Sequence, residues 1–142
     1  MLYAEDEPDD VFFLREAWET VGVPNPLIAV KDGQEAIDYL AGNGPYADRK
    51  QYPFPCLLLL DINLPVKSGF DVLRWINQNL SRERLKVVIL TGSNQETDIQ
   101  MARELGVTEY IVKPSNPMRL SKIVEEEKDR WFASKKQTRK CS

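Results

Sequence analysis

Apolar and polar positions in this chain follow two alternating periods. Short, densely apolar runs are each followed by a longer stretch whose apolar residues recur every three or four positions, and this happens five times. The first kind reads as a buried strand and the second as an amphipathic helix. Strands are expected at Met1–Ala4, Leu27–Val30, Leu57–Leu60, Lys86–Leu90 and Glu109–Val112. Between them, Val11, Leu14, Trp18 and Val21 mark one helix that starts at Asp9 or Asp10 and stops at Gly22. Ala36, Ile37 and Leu40 mark a second, closing at Gly42, and Phe70, Leu73, Ile76 and Leu80 a third. Ile99, Ala102 and Leu105 line a fourth, from about Gln95 to Leu105 with Gly106 as its cap. Asn116 caps and Pro117 opens the last, which carries Leu120, Val124 and Trp131.

Strands that alternate with helices imply a parallel sheet covered on both sides. The run Leu57-Leu58-Leu59-Leu60 is apolar at every position, which suits a central strand buried on both faces. It ends on Asp61. An ionised carboxylate is not left unpaired in a core, so Asp61 should stand where the strand emerges, at the sheet edge where ligands bind in open α/β folds. Residues 43–55 form a loop rich in proline, tyrosine and charge, longer than the usual connection of about 4–6 residues. Such a loop should cover part of the domain or contact a partner.

Composition narrows the choices. With 142 residues, 42% hydrophobic and 29% charged, the chain is one ordinary globular domain. No run is long and apolar enough to span a membrane, and no signal peptide opens the sequence. Cys56 and Cys141 make neither a metal spacing nor a disulfide framework, so a cytoplasmic location is expected. There is no histidine. Lys135, Lys136, Arg139 and Lys140 crowd the end of the chain, leaving 15 bases against 22 acids in the rest. A body that acidic does not look like a nucleic-acid binder, and residues 134–142 read as a basic, frayed tail after a domain at 1–133.

The chemistry gathers at the strand ends. Strands one, three, four and five deliver Glu5-Asp6, Asp61, Thr91 and Lys113, and in a parallel sheet these ends share one edge. Two carboxylates about 4 Å apart repel by roughly 4 kcal/mol at an effective dielectric near 20. One lysine cannot offset three acids, so a divalent cation is expected, and all-oxygen ligands favour Mg²⁺. Carboxylate, Mg²⁺, hydroxyl and ammonium together make a phosphoryl site. Asp61 is its expected nucleophile, with Thr91 and Lys113 stabilising the phosphoryl oxygens.

Glu5-Asp6, Asp61 with Asn63-Leu64-Pro65 and Gly69, Thr91-Gly92-Ser93, and Lys113-Pro114 also carry a resemblance. In order and spacing the chain resembles a receiver domain of a two-component response regulator, over essentially its whole length. The loop with Tyr46, Asp48-Arg49 and Tyr52-Pro53 more narrowly resembles single-domain regulators associated with bacterial phytochromes. The resemblance implies a flavodoxin-like (βα)5 three-layer sandwich with strand order 2-1-3-4-5. It implies Asp61 as phospho-acceptor and Mg²⁺ held by Asp6, Asp61 and the Asn63 carbonyl, with Glu5 acting through water. It places a cis peptide between Lys113 and Pro114, and makes Thr91 and Tyr110 switch residues that move inward together.

The implied donor is a sensor histidine kinase, with a bacteriophytochrome as candidate. The implied output is protein binding or dimerisation through the face of the fourth helix, fifth strand and fifth helix, because no output domain follows. Nucleic acid and membrane are not expected to be direct partners. Glu5 departs from the more usual aspartate, Glu7 adds a further acid, and the short first strand points to a trimmed amino end. Two rivals remain at this point. A haloacid-dehalogenase-type hydrolase also uses an aspartate after a buried strand, but it wants a second Asp where Asn63 stands. A degenerate receiver would act only as an interaction module.

Overall fold

The computed structural model of the chain describes residues 1–81 and 83–132. The cysteine at 141 and the basic tail at 134–142 lie outside the described residues. Five strands alternate with five helices: β1 (Leu2–Ala4), α1 (Pro8–Val21), β2 (Ile28–Val30), α2 (Gly33–Ala41), β3 (Leu57–Leu60), α3 (Gly69–Asn79), β4 (Lys86–Thr91), α4 (Glu96–Glu104), β5 (Glu109–Val112) and α5 (Leu120–Phe132). All neighbouring strands pair in parallel, in the order β2-β1-β3-β4-β5. The order reverses between β1 and β3. In such sheets the crevice outside the carboxyl ends at that reversal is where ligands sit.

Period-two alternation sorts the strand residues onto two faces. Leu2, Ala4, Leu58, Leu60, Val87 and Ile89 pack with α2 and α3 and with Ala102 of α4. Tyr3, Leu57, Leu59, Val88 and Leu90 pack on the other side with Leu14, Ala17 and Trp18 of α1 and Leu120, Val124 and Trp131 of α5. All of Leu57–Leu60 is fully buried, as a central strand between two helical layers requires. The helix faces are those expected, with their centres shifted slightly. In α1 the buried stripe runs through Leu14, Ala17 and Trp18, while Val11 and Val21 at the ends are half-buried. In α3 it runs through Val72, Leu73 and Ile76, while Phe70 and Leu80 are half-buried.

Local chemistry fixes the boundaries. Asp32 caps α2 by accepting the Glu35 N–H at 2.7 Å, and Ser68 and Asp71 form a reciprocal capping box on α3. Asn116 accepts the Met118 N–H at 3.0 Å, but Pro117 opens a 3-10 turn (Pro117–Arg119) before α5 rather than α5 itself. Gly106 stands one residue beyond the α4 cap, which is Leu105.

The long loop at 43–55 covers the carboxyl end of α2. The Arg49 guanidinium donates to the backbone carbonyls of Tyr39 (2.8 Å), Leu40 (2.9 Å) and Tyr52 (3.1 Å). Tyr39, Tyr46 and Tyr52 pack against one another in tilted and edge-to-face pairs, with ring centroids 4.9–6.0 Å apart. The sequence pattern does not place Tyr39 in the core, yet the loop buries it, and its hydroxyl donates to the Pro53 carbonyl at 3.0 Å. Cys56 departs from expectation: its sulfur is disulfide-bonded.

Replacing Arg49 with methionine keeps the apolar stem and removes the donors to three carbonyls. Urea unfolding should show a loss of about 2–4 kcal/mol, since charged hydrogen bonds contribute roughly 1.5–3 kcal/mol each and this site is partly exposed.

Candidate functional site

The carboxyl ends of β1, β3, β4 and β5 place their polar residues on one rim. Glu5 follows β1 and is fixed there by its N–H, which donates to the Val30 carbonyl at 2.9 Å. Asp61 follows β3, and its N–H donates to the Ala4 carbonyl at 3.1 Å. Thr91 ends β4 and is fully buried. Lys113 follows β5, with its N–H on the Thr91 carbonyl at 2.7 Å. The backbone ladder thus sets the spacing before any side chain acts.

Asp61 is only 5% exposed and both its oxygens are engaged. Oδ1 accepts the Thr91 hydroxyl at 2.6 Å and the Asn63 N–H at 3.1 Å. Oδ2 accepts the Lys113 ammonium at 3.0 Å. The same ammonium reaches Glu5 Oε1 and, at 2.9 Å, Asp10 Oδ2. Glu5 is buried; its Oε1 also accepts the Tyr3 hydroxyl at 3.2 Å and its Oε2 the Glu7 N–H at 3.2 Å. Asp6 is exposed, yet one carboxylate oxygen from each of Glu5, Asp6 and Asp61 lies within 4.8 Å of the others.

The following turn is tight. A side chain at Gly69 would put its Cβ 2.4 Å from the Asp61 carbonyl oxygen, so only glycine lets α3 start this close to the end of β3. Val66, 77% exposed, takes a φ of +67°, where a β-branched residue is strained.

Burial is the largest influence on Glu5 and pushes its carboxyl up to about 7; the Lys113 hydrogen bond opposes this and neighbouring Asp61 adds to it. Burial pushes Asp61 up as well, but hydrogen bonds from Thr91 and Glu5 and the Lys113 charge outweigh it and hold Asp61 below the usual carboxylate range. Lys113 would be lowered by burial, yet its bonds to Glu5, Asp10 and Asp61 hold it well above the usual ammonium range. The site therefore presents a carboxylate and an ammonium, both firmly ionised, beside a glutamate that holds a proton near neutrality.

The donor set fits a hard divalent cation: converging carboxylate oxygens, no nitrogen or sulfur, and one ammonium for several acids. Glu5, Asp6, Asp61, Thr91 and Lys113 reach the rim, and Asn63 touches it through its N–H on Asp61; Tyr110 does not reach it. That residue is half-buried one step away, its hydroxyl donating to the Ser93 carbonyl at 2.9 Å. Thr91 is already turned onto Asp61. The expected cis peptide is not found: no described residue has one, and Lys113 reaches Asp61 with a trans bond to Pro114. Sequence reasoning missed Asp10 and Tyr3. Asp10 lies one turn beyond the acidic strand end, and Tyr3 is two residues before Glu5 on the same strand face, so both spacings carried a signal.

A family model described as the response regulator receiver domain matches residues 1–125. The chain belongs to the response regulator receiver family. This receiver is 37% identical over 132 residues to the response regulator Rcp1 of Synechocystis sp., covering 93% of this chain and 88% of Rcp1. The phosphorylated cyanobacterial phytochrome response regulator RcpA superposes with a TM-score of 0.83 at 36% identity, covering 93% of each chain. The Mn²⁺-bound form of Rcp1 superposes with a TM-score of 0.81 at 35% identity, covering 99% of this chain and 96% of that one. Receivers are signalling switches of two-component systems that take a phosphoryl group from a histidine kinase onto an aspartate. The hydrolase reading therefore gives way to a switch. No helix among the described residues is long and apolar enough to cross a membrane.

Two outcomes test this electrostatic arrangement. Above its ordinary value of 4.5 and up to about 7, Glu5 binds more proton in the folded than in the unfolded chain. Its contribution to stability is present at low pH and is lost as pH rises through that window. In chelator, Glu5→Gln should gain stability relative to the native protein between pH 5 and pH 7.5, read by urea unfolding. Separately, Tyr3→Phe removes a donor to a buried carboxylate and should cost about 1–2 kcal/mol in the same assay.

Proposed function

We propose that this receiver is a phosphorylation-driven switch whose acceptor is Asp61. The observation that carries the reading is the pairing of one carboxylate with both Thr91 (2.6 Å) and Lys113 (3.0 Å) beside an acidic cluster. An Asp61 oxygen attacks the phosphorus of a phosphohistidine on the donor kinase. The new O–P bond forms as the N–P bond breaks, and the electron pair stays with the imidazole nitrogen, which takes a proton. Lys113 and Thr91 stabilise the charge on the phosphoryl oxygens. The residues that would hold Mg²⁺ are Asp6, Asp61 and the Asn63 carbonyl, with Glu5 through water. When bound, the ion neutralises charge shared between acceptor and phosphoryl oxygens.

Phosphorylation exchanges one negative charge for about two and adds acceptor oxygens. Lys113 and Thr91 then turn toward the phosphoryl group, and the chain between Thr91 and Ser93 follows. Because the Ser93 carbonyl holds the Tyr110 hydroxyl, the change reaches the surface of α4, β5 and α5. A swing from 1:99 to 99:1 between two states of that face needs about 5.5 kcal/mol of differential binding. Its readout is protein binding or dimerisation. The similarity to phytochrome response regulators supports a bacteriophytochrome as the donor kinase, acting in the cytoplasm. We read residues 1–133 as the receiver domain and residues 134–142 as a basic tail.

Acetyl phosphate with Mg²⁺ should label the native protein, seen as a mass shift, and leave Asp61→Asn unlabelled. Light scattering of the native protein with beryllofluoride and Mg²⁺ reports whether assembly follows. Equal labelling of both proteins would place the acceptor elsewhere, and no labelling of either would leave an interaction-only receiver.

A further inference from the structure

The three N–H groups of the Lys113 ammonium point at three carboxylates: Glu5, Asp10 at 2.9 Å and Asp61 at 3.0 Å. Two of these acids, Glu5 and Asp61, belong with Asp6 to the cluster whose oxygens converge. Asp10 does not. It sits in the first turn of α1, its side chain 37% exposed, and reaches Lys113 from an element that carries none of those three acids. Acids in a first turn are commonly there for the helix dipole alone. Asp9 fits that description, being exposed beside it; Asp10 is turned onto the ammonium.

A divalent cation held by Asp6 and Asp61, with Glu5 through water, would draw on the same carboxylates and repel the ammonium, so its contacts to Glu5 and Asp61 would weaken together. Asp10, carried by a different element, is the contact left. We infer that Asp10 is a positioning residue: it holds the Lys113 ammonium beside the acceptor carboxylate while the neighbouring acids bind a divalent cation. This rests on Asp61 being the acceptor. Without Asp10, the lysine, already 16% exposed, is drawn toward solvent and meets the incoming phosphoryl oxygens less often.

The test uses the full chain, with acetyl phosphate as donor at saturating Mg²⁺. The Asp61 O–P bond forms as the P–O bond to acetate breaks, and acetate leaves with the electron pair. Asp10→Asn should slow labelling on the order of tenfold, the scale of a displaced catalytic group. In a Lys113→Met background the same change should add nothing. A structural readout runs beside it. In Mg²⁺, urea unfolding of the native, Asp10→Asn, Lys113→Met and doubly substituted proteins should give non-additive losses. Native labelling rates for Asp10→Asn, an undiminished slowing in the Lys113→Met background, or additive stabilities would each overturn the inference. Should Asp10→Asn fail to fold, Asp10→Ser, a residue suited to a helix start, takes its place. Failure of the native protein to label, or equal labelling of Asp61→Asn, would instead remove the acceptor reading itself.

Discussion

The contact between Asp61 and Lys113 sets the terms for the rest of the molecule. A nearly buried carboxylate pays a desolvation cost of several kcal/mol, and only strong, well-placed partners offset it. Here the ammonium takes one oxygen while the Thr91 hydroxyl and the Asn63 N–H take the other. The pairing leaves the rim unbalanced, because the same ammonium also answers Glu5 and Asp10. That surplus of negative charge makes the site receptive to a small hard cation and, through the cation, to an anion that would otherwise be repelled.

The sheet makes such a constellation affordable in conformational terms. Each side chain stands at the end of a strand whose register is fixed by main-chain bonds and by two apolar layers, so little further ordering is required to bring the groups together. The glycine at 69 lets the loop after Asp61 close tightly, and the loop at 43–55 is secured by Arg49 on the carboxyl end of α2. The structure thus sets the rim's side chains on a rigid scaffold, and the proposed switch would act on Thr91, Lys113 and the Ser93–Tyr110 contact.

Much of this was legible in the residues themselves. The four leucines ending on Asp61 identify a central strand and its exit point, because only one environment suits a wholly apolar run that stops at a carboxylate. Lys113 is legible more weakly, as the charge that ends the short, half-buried run of β5. Strand order was not: periodicity says which segments are strands, not which neighbours they choose, and the order 2-1-3-4-5 came from resemblance. Tyr3 escaped because an aromatic residue in a strand reads as core, although its spacing from Glu5 puts the two on one face. Asp10 escaped because an acid at a helix start already has a sufficient local explanation. Tyr39 was hidden because its burial depends on a loop with no period at all. The trans bond before Pro114 and the bonded state of Cys56 depend on tertiary geometry in the same way.

The ammonium at the rim lies 108 residues from Glu5 and 52 from Asp61 along the chain. Contacts that distant form slowly, because a large loop must close before they return any energy. While β5 is still undocked, Glu5 and Asp61 would face each other without their organic counter-ion, and their repulsion would work against zipping β1 to β3.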